Sequence, residues 1–329
     1  MLVINANQQK SVMNMKEVID ACATALQEYS AGRTETPIRS TLPVEKFQGK
    51  SLTMPSVAPD AGVMGLKQVN SFPNNIKVGK KSIHGVVFLS DIETGEPLAL
   101  LEGSYLTVIK TGAVSGLATK LLSREDSSSL SVIGTGEQAP GLVEAIMTVR
   151  SIKEIFLVNR TRSKAEEFRE ELLRQYSTDD LTITVLSDAD EAVAKADIIV
   201  TSTGSTTPVF SADSVKQGTH INAVGAFQPT MQEIPSQIVA TADKIFVESI
   251  SAALEETGDL QIPIKEGVFQ ASDLDGELGT LIDGKLTGRI NDQEITLFES
   301  VGLAVADIIV ADLLYKKALK SGNGTHVDI

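Results

Sequence analysis

Ser129-Leu130-Ser131-Val132-Ile133-Gly134-Thr135-Gly136-Glu137-Gln138-Ala139 reads as a short buried strand that runs through a tight glycine turn into a helix. The spacing Gly134, Gly136, Ala139 matches the dinucleotide-binding pattern. There the first glycine permits the turn, the second lets backbone approach a pyrophosphate, and the third, small residue lets helix pack on strand. A helix N-terminus at that point offers N–H groups and a positive dipole end to phosphates. A plain strand-turn-helix is the alternative. What favours the nucleotide is a second strand-like run, Glu154-Ile155-Phe156-Leu157-Val158-Asn159, at the distance expected of a βαβ unit.

Outward from that stretch, strands are expected near 130–133, 154–159, 182–186, 197–201, 219–223 and 244–247, alternating with helices. That rhythm predicts a Rossmann-type, doubly wound parallel sheet. Before it, Met1–Ile4 reads as an edge strand and Asn14–Tyr29 as an amphipathic helix stopped by Gly32. Strands follow near 52–55, 63–69, 85–90 and 97–101, the last two joined by a turn over 91–96, and then a helix over Thr107–Leu122. The polar stretch Ser123–Ser128 reads as a junction. After Val247, Ser251–Glu256 reads as helical, Gly258-Asp259 as a turn, and 300–318 as a buried helix that returns to the first domain. The expected α/β organisation is a mixed α+β substrate-binding and dimerisation domain, 1–122 plus 303–329, around a nucleotide-binding domain, 123–302.

Composition narrows the function. Across 329 residues, hydrophobic side chains make up 42% and charged ones 22%, as in globular proteins. A net charge of −14 disfavours a nucleic-acid partner, which needs a basic face, and the absence of Trp argues against stacking platforms. Cys22, the one cysteine, has no companion for a disulfide or a metal cluster, so no metal is expected and Cys22 reads as a small buried apolar residue on the first helix. The opening Met1-Leu2-Val3-Ile4-Asn5 lacks a basic n-region and a long apolar run, and the apolar run 301–314 is short and broken by Asp307 and Asp312. A cytoplasmic protein with no membrane partner is the expectation.

The cofactor's identity is read at the end of the second strand. NAD sites place a carboxylate there for the ribose 2′-hydroxyl, but this chain has Asn159-Arg160-Thr161-Arg162. An uncharged amide beside two guanidiniums predicts NADPH, with NADH as the alternative. The other reading is that one of the arginines merely solvates a helix start. Thr203, in the loop after the fourth strand, and Val224, Gly225 and Ala226, after the fifth, are placed to let the cofactor lie against backbone at the sheet's carboxyl edge.

These segments, together with Thr36-Pro37-Ile38-Arg39, Gly65-Leu66-Lys67, Thr94-Gly95-Glu96-Pro97-Leu98-Ala99, Thr111-Gly112-Ala113, Val224 to Glu233, Glu255 to Asp259 and Ser300 to Ala304, resemble the ornithine cyclodeaminase and mu-crystallin family over nearly the full length. The resemblance is nearest to bacterial members that reduce Δ1-pyrroline-2-carboxylate. It implies a homodimer built through the N-terminal sheet domain and a site in the cleft between the domains. It also implies that Arg39 holds the carboxylate of a small cyclic imino acid, that Lys67 sits beside the reacting C–N centre, and that Ser82 and Thr111 lie near the cofactor. Phe227 and Gly302 fall on the substrate side by the same resemblance. Without it, Lys67 reads as a strand lysine pointing to water.

Two positions depart from the family's pattern. Lys110 stands where an arginine is common, which keeps the charge for carboxylate or phosphate but loses the fork. Phe227 stands where the cyclodeaminases carry an aspartate, and a phenyl ring cannot act as a base. Glu233, nearby, reads as a helix-start carboxylate. The expected activity is therefore NAD(P)H-dependent reduction of Δ1-pyrroline-2-carboxylate to proline, or of its six-membered homologue. Ornithine cyclisation, an alanine-dehydrogenase-like reaction and a non-catalytic NADP(H)-binding protein are the alternatives.

Overall fold

The computed structural model describes residues 1–176 and 180–328. The chain forms two compact units, Met1–Lys110 with the stretch from Leu303 onward, and Thr111–Gly302. The expected boundary after Leu122 therefore moves to Lys110. The reason lies in the second half of its helix: Gly112 meets the backbone of Gly141, Gly116 meets Ala145, and Thr119 Oγ1 accepts a 2.9 Å hydrogen bond from Asn222. Those residues are bound into the second unit, although the helix begins in the first.

The first unit begins with β1 (Leu2–Ile4), α1 (Ala6–Val12) and α2 (Met15–Ser30), followed by β2 (Ser40–Val44), β3 (Gly49–Ala58), β4 (Val63–Ser71), β5 (Ile83–Asp91), β6 (Pro97–Glu102) and the start of α3 (Gly103–Leu122). Asn14 caps α2 by accepting from Glu17 N, and Gly32 leaves the helix with φ +69°. Cys22 is buried on α2, the second helix rather than the first, because Ala6–Val12 forms α1 ahead of it. The last elements of the chain, given below, complete this unit's sheet in the order β15-β1-β6-β5-β4-β3-β2. So β1 is not an edge strand: it pairs parallel with β6 and antiparallel with β15. β2 gives no strand signal in the sequence, being five residues with Pro43 and no buried face.

The second unit contains β7 (Ser129–Ile133), α4 (Ala139–Val149), β8 (Glu154–Val158), α5 (Arg162–Gln175), β9 (Thr182–Leu186), α6 (Ala189–Lys195), β10 (Ile198–Thr201) and β11 (His220–Ala223). It continues with α7 (Ser236–Thr241), β12 (Lys244–Val247), α8 (Ile250–Glu256), α9 (Gly258–Glu266), β13 (Gly276–Glu277), α10 (Leu278–Ile282) and β14 (Thr296–Glu299). The eight strands lie in the order β13-β12-β14-β11-β10-β7-β8-β9 and every pairing is parallel. This is the expected doubly wound sheet, with apolar cores on both faces built from residues such as Leu130, Val132 and Leu142 on one and Ile133, Ile199 and Ile221 on the other. Two readings are corrected. Gly258-Asp259 opens α9 rather than forming a turn, because the Thr257 hydroxyl accepts from Asp259 N. β14 had not been foreseen, yet it sits inside the sheet between β11 and β12.

The chain then returns to the first unit with α11 (Ala304–Ser321) and β15 (Thr325–His326). Among the described residues no helix is long and apolar enough to cross a membrane.

Candidate functional site

In the second unit, β7 is buried along its whole length and ends at Gly134, whose φ of +100° only glycine adopts without strain. A side chain there would place its Cβ 2.7 Å from the carbonyl oxygen of Ser202. The turn is tied on both sides: Gly134 N donates to Val158 O at 2.9 Å, and Ser202 Oγ donates to the Gly134 carbonyl at 2.9 Å. At Gly136 an added Cβ would meet nothing within 4 Å, so this backbone faces open space, while Ala139 beneath it is buried at the start of α4. No side chain caps α4, whose first turn is instead drawn in by backbone: Ala139 N donates to Gly136 O at 3.2 Å, and Pro140, the second residue, needs no acceptor.

A cavity of about 460 Å³ opens here, lined in part by Gly134, Gly136, Asn159, Arg160, Thr203 and Gly204. Its volume, the bare backbone at Gly136 and the neighbouring helix N-terminus fit a dinucleotide. Asn159 is held in place, its Oδ1 accepting from Thr135 N at 3.4 Å and its Nδ2 donating to Thr161 O at 2.9 Å. The two arginines divide. Arg160 lines the cavity, whereas Arg162 begins α5 and pairs with Glu166 on the same helix at 3.1 Å. The helix-start reading thus belongs to Arg162. Thr161 takes the cap position of α5 without a side-chain cap bond, and Glu137 and Gln138 are outside the cavity lining.

Opposite the glycine turn, the loops after β10 and β11 are joined by one residue, Glu233. Glu233 is fully buried and is not at a helix start, since α7 begins at Ser236. Its carboxylate accepts from Thr203 N and, at 2.8 Å, from Gly225 N. A side chain at Gly225 would collide with that carboxylate and with the Thr203 carbonyl. In turn Glu233 N and Ile234 N donate to Asp259 Oδ1 at 2.7 and 2.8 Å. Burial pushes both carboxyls up, Asp259 to about 8, against the pull of these backbone donors. Val224 and Ala226 flank Gly225 without lining the cavity, and Phe227 beyond them is exposed. Gly302 closes the unit with φ +86° and donates to Glu248 Oε2 at 2.7 Å.

In the first unit, β4 presents Val63, Gly65 and Lys67 to one face. A Cβ on Gly65 would strike the Phe88 carbonyl and lie 3.3 Å from Ile308, so the missing side chain is what lets α11 close on the strand. That approach buries Lys67, which is 5% exposed, next to Asp307. Lys67 Nζ donates to Asp307 Oδ1 at 2.9 Å, and Lys110 Nζ, on α3, lies 4.0 Å from Oδ2. The alternative reading of Lys67, a strand lysine pointing to water, does not hold. Burial pushes the Lys67 ammonium below the usual lysine range, Asp307 opposes this, and Lys110 and Arg39 add to it. Arg39 is half-buried just before β2. Ser82 precedes β5, and its carbonyl accepts from Phe72 N at 2.7 Å. Thr111 follows Lys110 on α3 as the first residue of the other unit. In the sequence Asp307 shows only as a charge that interrupts an apolar run.

Residues 2–322 match the family model described as the ornithine cyclodeaminase/mu-crystallin family. A Δ1-pyrroline-2-carboxylate reductase of Bacillus cereus is 54% identical over 328 residues, covering 100% of each chain. Among solved structures, the Thermococcus litoralis Δ1-pyrroline-2-carboxylate reductase in complex with NADH and L-proline superposes with a TM-score of 0.95 at 38% identity, covering 99% of this chain and 100% of that one. An archaeal alanine dehydrogenase dimer with bound NAD gives 0.92 at 33% identity, over 100% and 99%. With the glycine turn, the open backbone at Gly136 and the buried lysine of β4 all in place, the chain belongs to the ornithine cyclodeaminase/mu-crystallin family.

Proposed function

We propose that the protein is an NAD(P)H-dependent oxidoreductase that reduces Δ1-pyrroline-2-carboxylate to L-proline. The observation that carries this reading is the ammonium of Lys67, held out of water beside Lys110 and Asp307, in a chain that aligns end to end with reductases of that name. When bound, a reduced nicotinamide supplies the hydride. The protein's part is to bind, orient and protonate. Arg39 and Lys110 hold the substrate carboxylate by charge, Arg39 with a planar fork that matches it. Lys67, its pKa lowered by burial, gives a proton to the ring nitrogen as the carbon is reduced. Phe227 offers no base for oxidising an amine, which disfavours ornithine cyclisation.

NADPH is the preferred cofactor: Asn159 places no carboxylate against a 2′-phosphate and Arg160 lines the same cavity. Ser82 and Thr111 on the cofactor side, and Phe227 and Gly302 on the substrate side, complete the proposed site. The working form is a cytoplasmic homodimer assembled through the first unit, supported by its exposed Leu42, Phe47, Ile76 and Val78. One assay tests the reaction. Purified protein with NADPH or NADH is offered Δ1-pyrroline-2-carboxylate, its six-membered homologue, or pyruvate with ammonia, and the absorbance of the reduced cofactor is followed. Turnover of the cyclic imines, fastest with NADPH, is expected. Turnover of pyruvate with ammonia alone would make the protein an alanine dehydrogenase, and none at all a nucleotide binder.

A further inference from the structure

Charged groups from three segments act on the buried ammonium of Lys67: Asp307 from α11, Lys110 from α3, and Arg39 from the stretch before β2. The single carboxylate leans to one side. Its Oδ1 accepts from Lys67 Nζ at 2.9 Å, while Oδ2 is 4.0 Å from Lys110 Nζ and accepts no hydrogen bond among the described residues. Asp307 is itself fully buried. A buried ion pair contributes little to stability compared with apolar residues of the same volume, so its cost points to another use. Lys110 and Arg39 both act on this ammonium by charge, and Asp307 acts against them.

We propose that Asp307 is a positioning residue for the reduction, acting through Lys67: it fixes the direction of Nζ and restores its proton after each turnover. The proposal rests on the reductase reading of Lys67. In the step itself, the hydride pair forms the new C–H bond and the C=N π pair moves onto nitrogen. That pair takes a proton from Lys67 Nζ. Lys67 is then a neutral amine against the Asp307 carboxylate, an arrangement that draws a proton back from water.

The test compares Asp307→Asn and Asp307→Glu with wild type in the full chain. Lysine side-chain carbons labelled with 13C report the titration of Lys67, assigned by the signal lost in Lys67→Arg. Asp307→Asn is expected to move the Lys67 titration and the alkaline limb of kcat/KM to lower pH. It should also lower kcat for the imine about 100-fold, as misplacement of a reacting group does, with NADPH affinity unchanged. Asp307→Glu keeps the charge but displaces it, so the limb stays in place while kcat falls by less. An Asn variant with the wild-type titration and limb overturns the proposal. Should the Asn variant not fold, the Glu variant decides, and wild-type kcat there overturns it. Failure of wild type to reduce the imine, with the Lys67 titration still moved by Asp307→Asn, overturns the reductase reading and leaves the Lys67–Asp307 coupling standing.

Discussion

The cofactor cavity of the second unit and the lysine group of the first are made in opposite ways. The cavity is a backbone structure: a glycine turn, an uncapped helix start and two loops clasped by Glu233 through their N–H groups. The lysine group is a side-chain structure, in which residues 67, 110 and 307 meet across most of the chain's length. Backbone cradles are set by local conformation and change affinity when damaged. Assembled charges are set by packing and change the chemical step. The two should therefore fail differently.

The largest expected effect is at Lys67. Lys67→Met removes the proton donor and should lower kcat about 1,000-fold, within the range of general acid catalysis, while NADPH affinity by fluorescence titration stays at the wild-type value. Loss of cofactor binding in this variant would break the division between the two regions. Next comes Gly134→Ala, which combines the left-handed strain of a φ of +100° with a methyl 2.7 Å from the Ser202 carbonyl. Cofactor affinity should fall roughly 30- to 100-fold and Tm should drop, with the KM for imine at saturating NADPH little altered. Glu233→Gln turns one acceptor of the clasp into a donor facing backbone N–H, and an affinity loss of about tenfold is expected. An unchanged dissociation constant there would show that the loops hold their shape without it. Arg160→Ala should give the smallest change, a rise of about threefold in the KM for NADPH with none for NADH, shrinking further as salt is added because the side chain is exposed. Equal changes for both cofactors would mean that Arg160 does not read the 2′-phosphate.

The same contrast explains what could be read in advance. The glycine turn and the strands β7 to β12 were legible because each is announced by neighbours in sequence: a buried run, a Gly-x-Gly spacing, a helical period. β14 was not, since Thr296-Leu297-Phe298-Glu299, no shorter than β10 to β12, follows the irregular stretch 283–295 and so stands outside the strand-helix alternation that announced them. Asp307 looked like a flaw in an apolar helix because its partner is 240 residues away. Lys67 alone reads as solvent-facing, and its burial follows from Gly65, which admits α11. Glu233 was misplaced because its partners are backbone groups of two other loops, which leave no trace in side-chain pattern.

The place of β14 also governs how the protein can be made. It lies between β11 and β12 although it is synthesised after both. Until Glu299 has left the ribosome, β11 offers an open edge, and the β12–β13 pair has nothing to link it to the rest of the sheet. The first unit waits as well, for α11 and β15 are encoded later still. Nascent chains therefore carry two unfinished sheets until β14 and α11 have been made, a state open to edge pairing with other chains and to chaperone capture. A premature stop shortly before Thr296 would remove no dispensable tail: it would take the middle out of one sheet and the cover from the other.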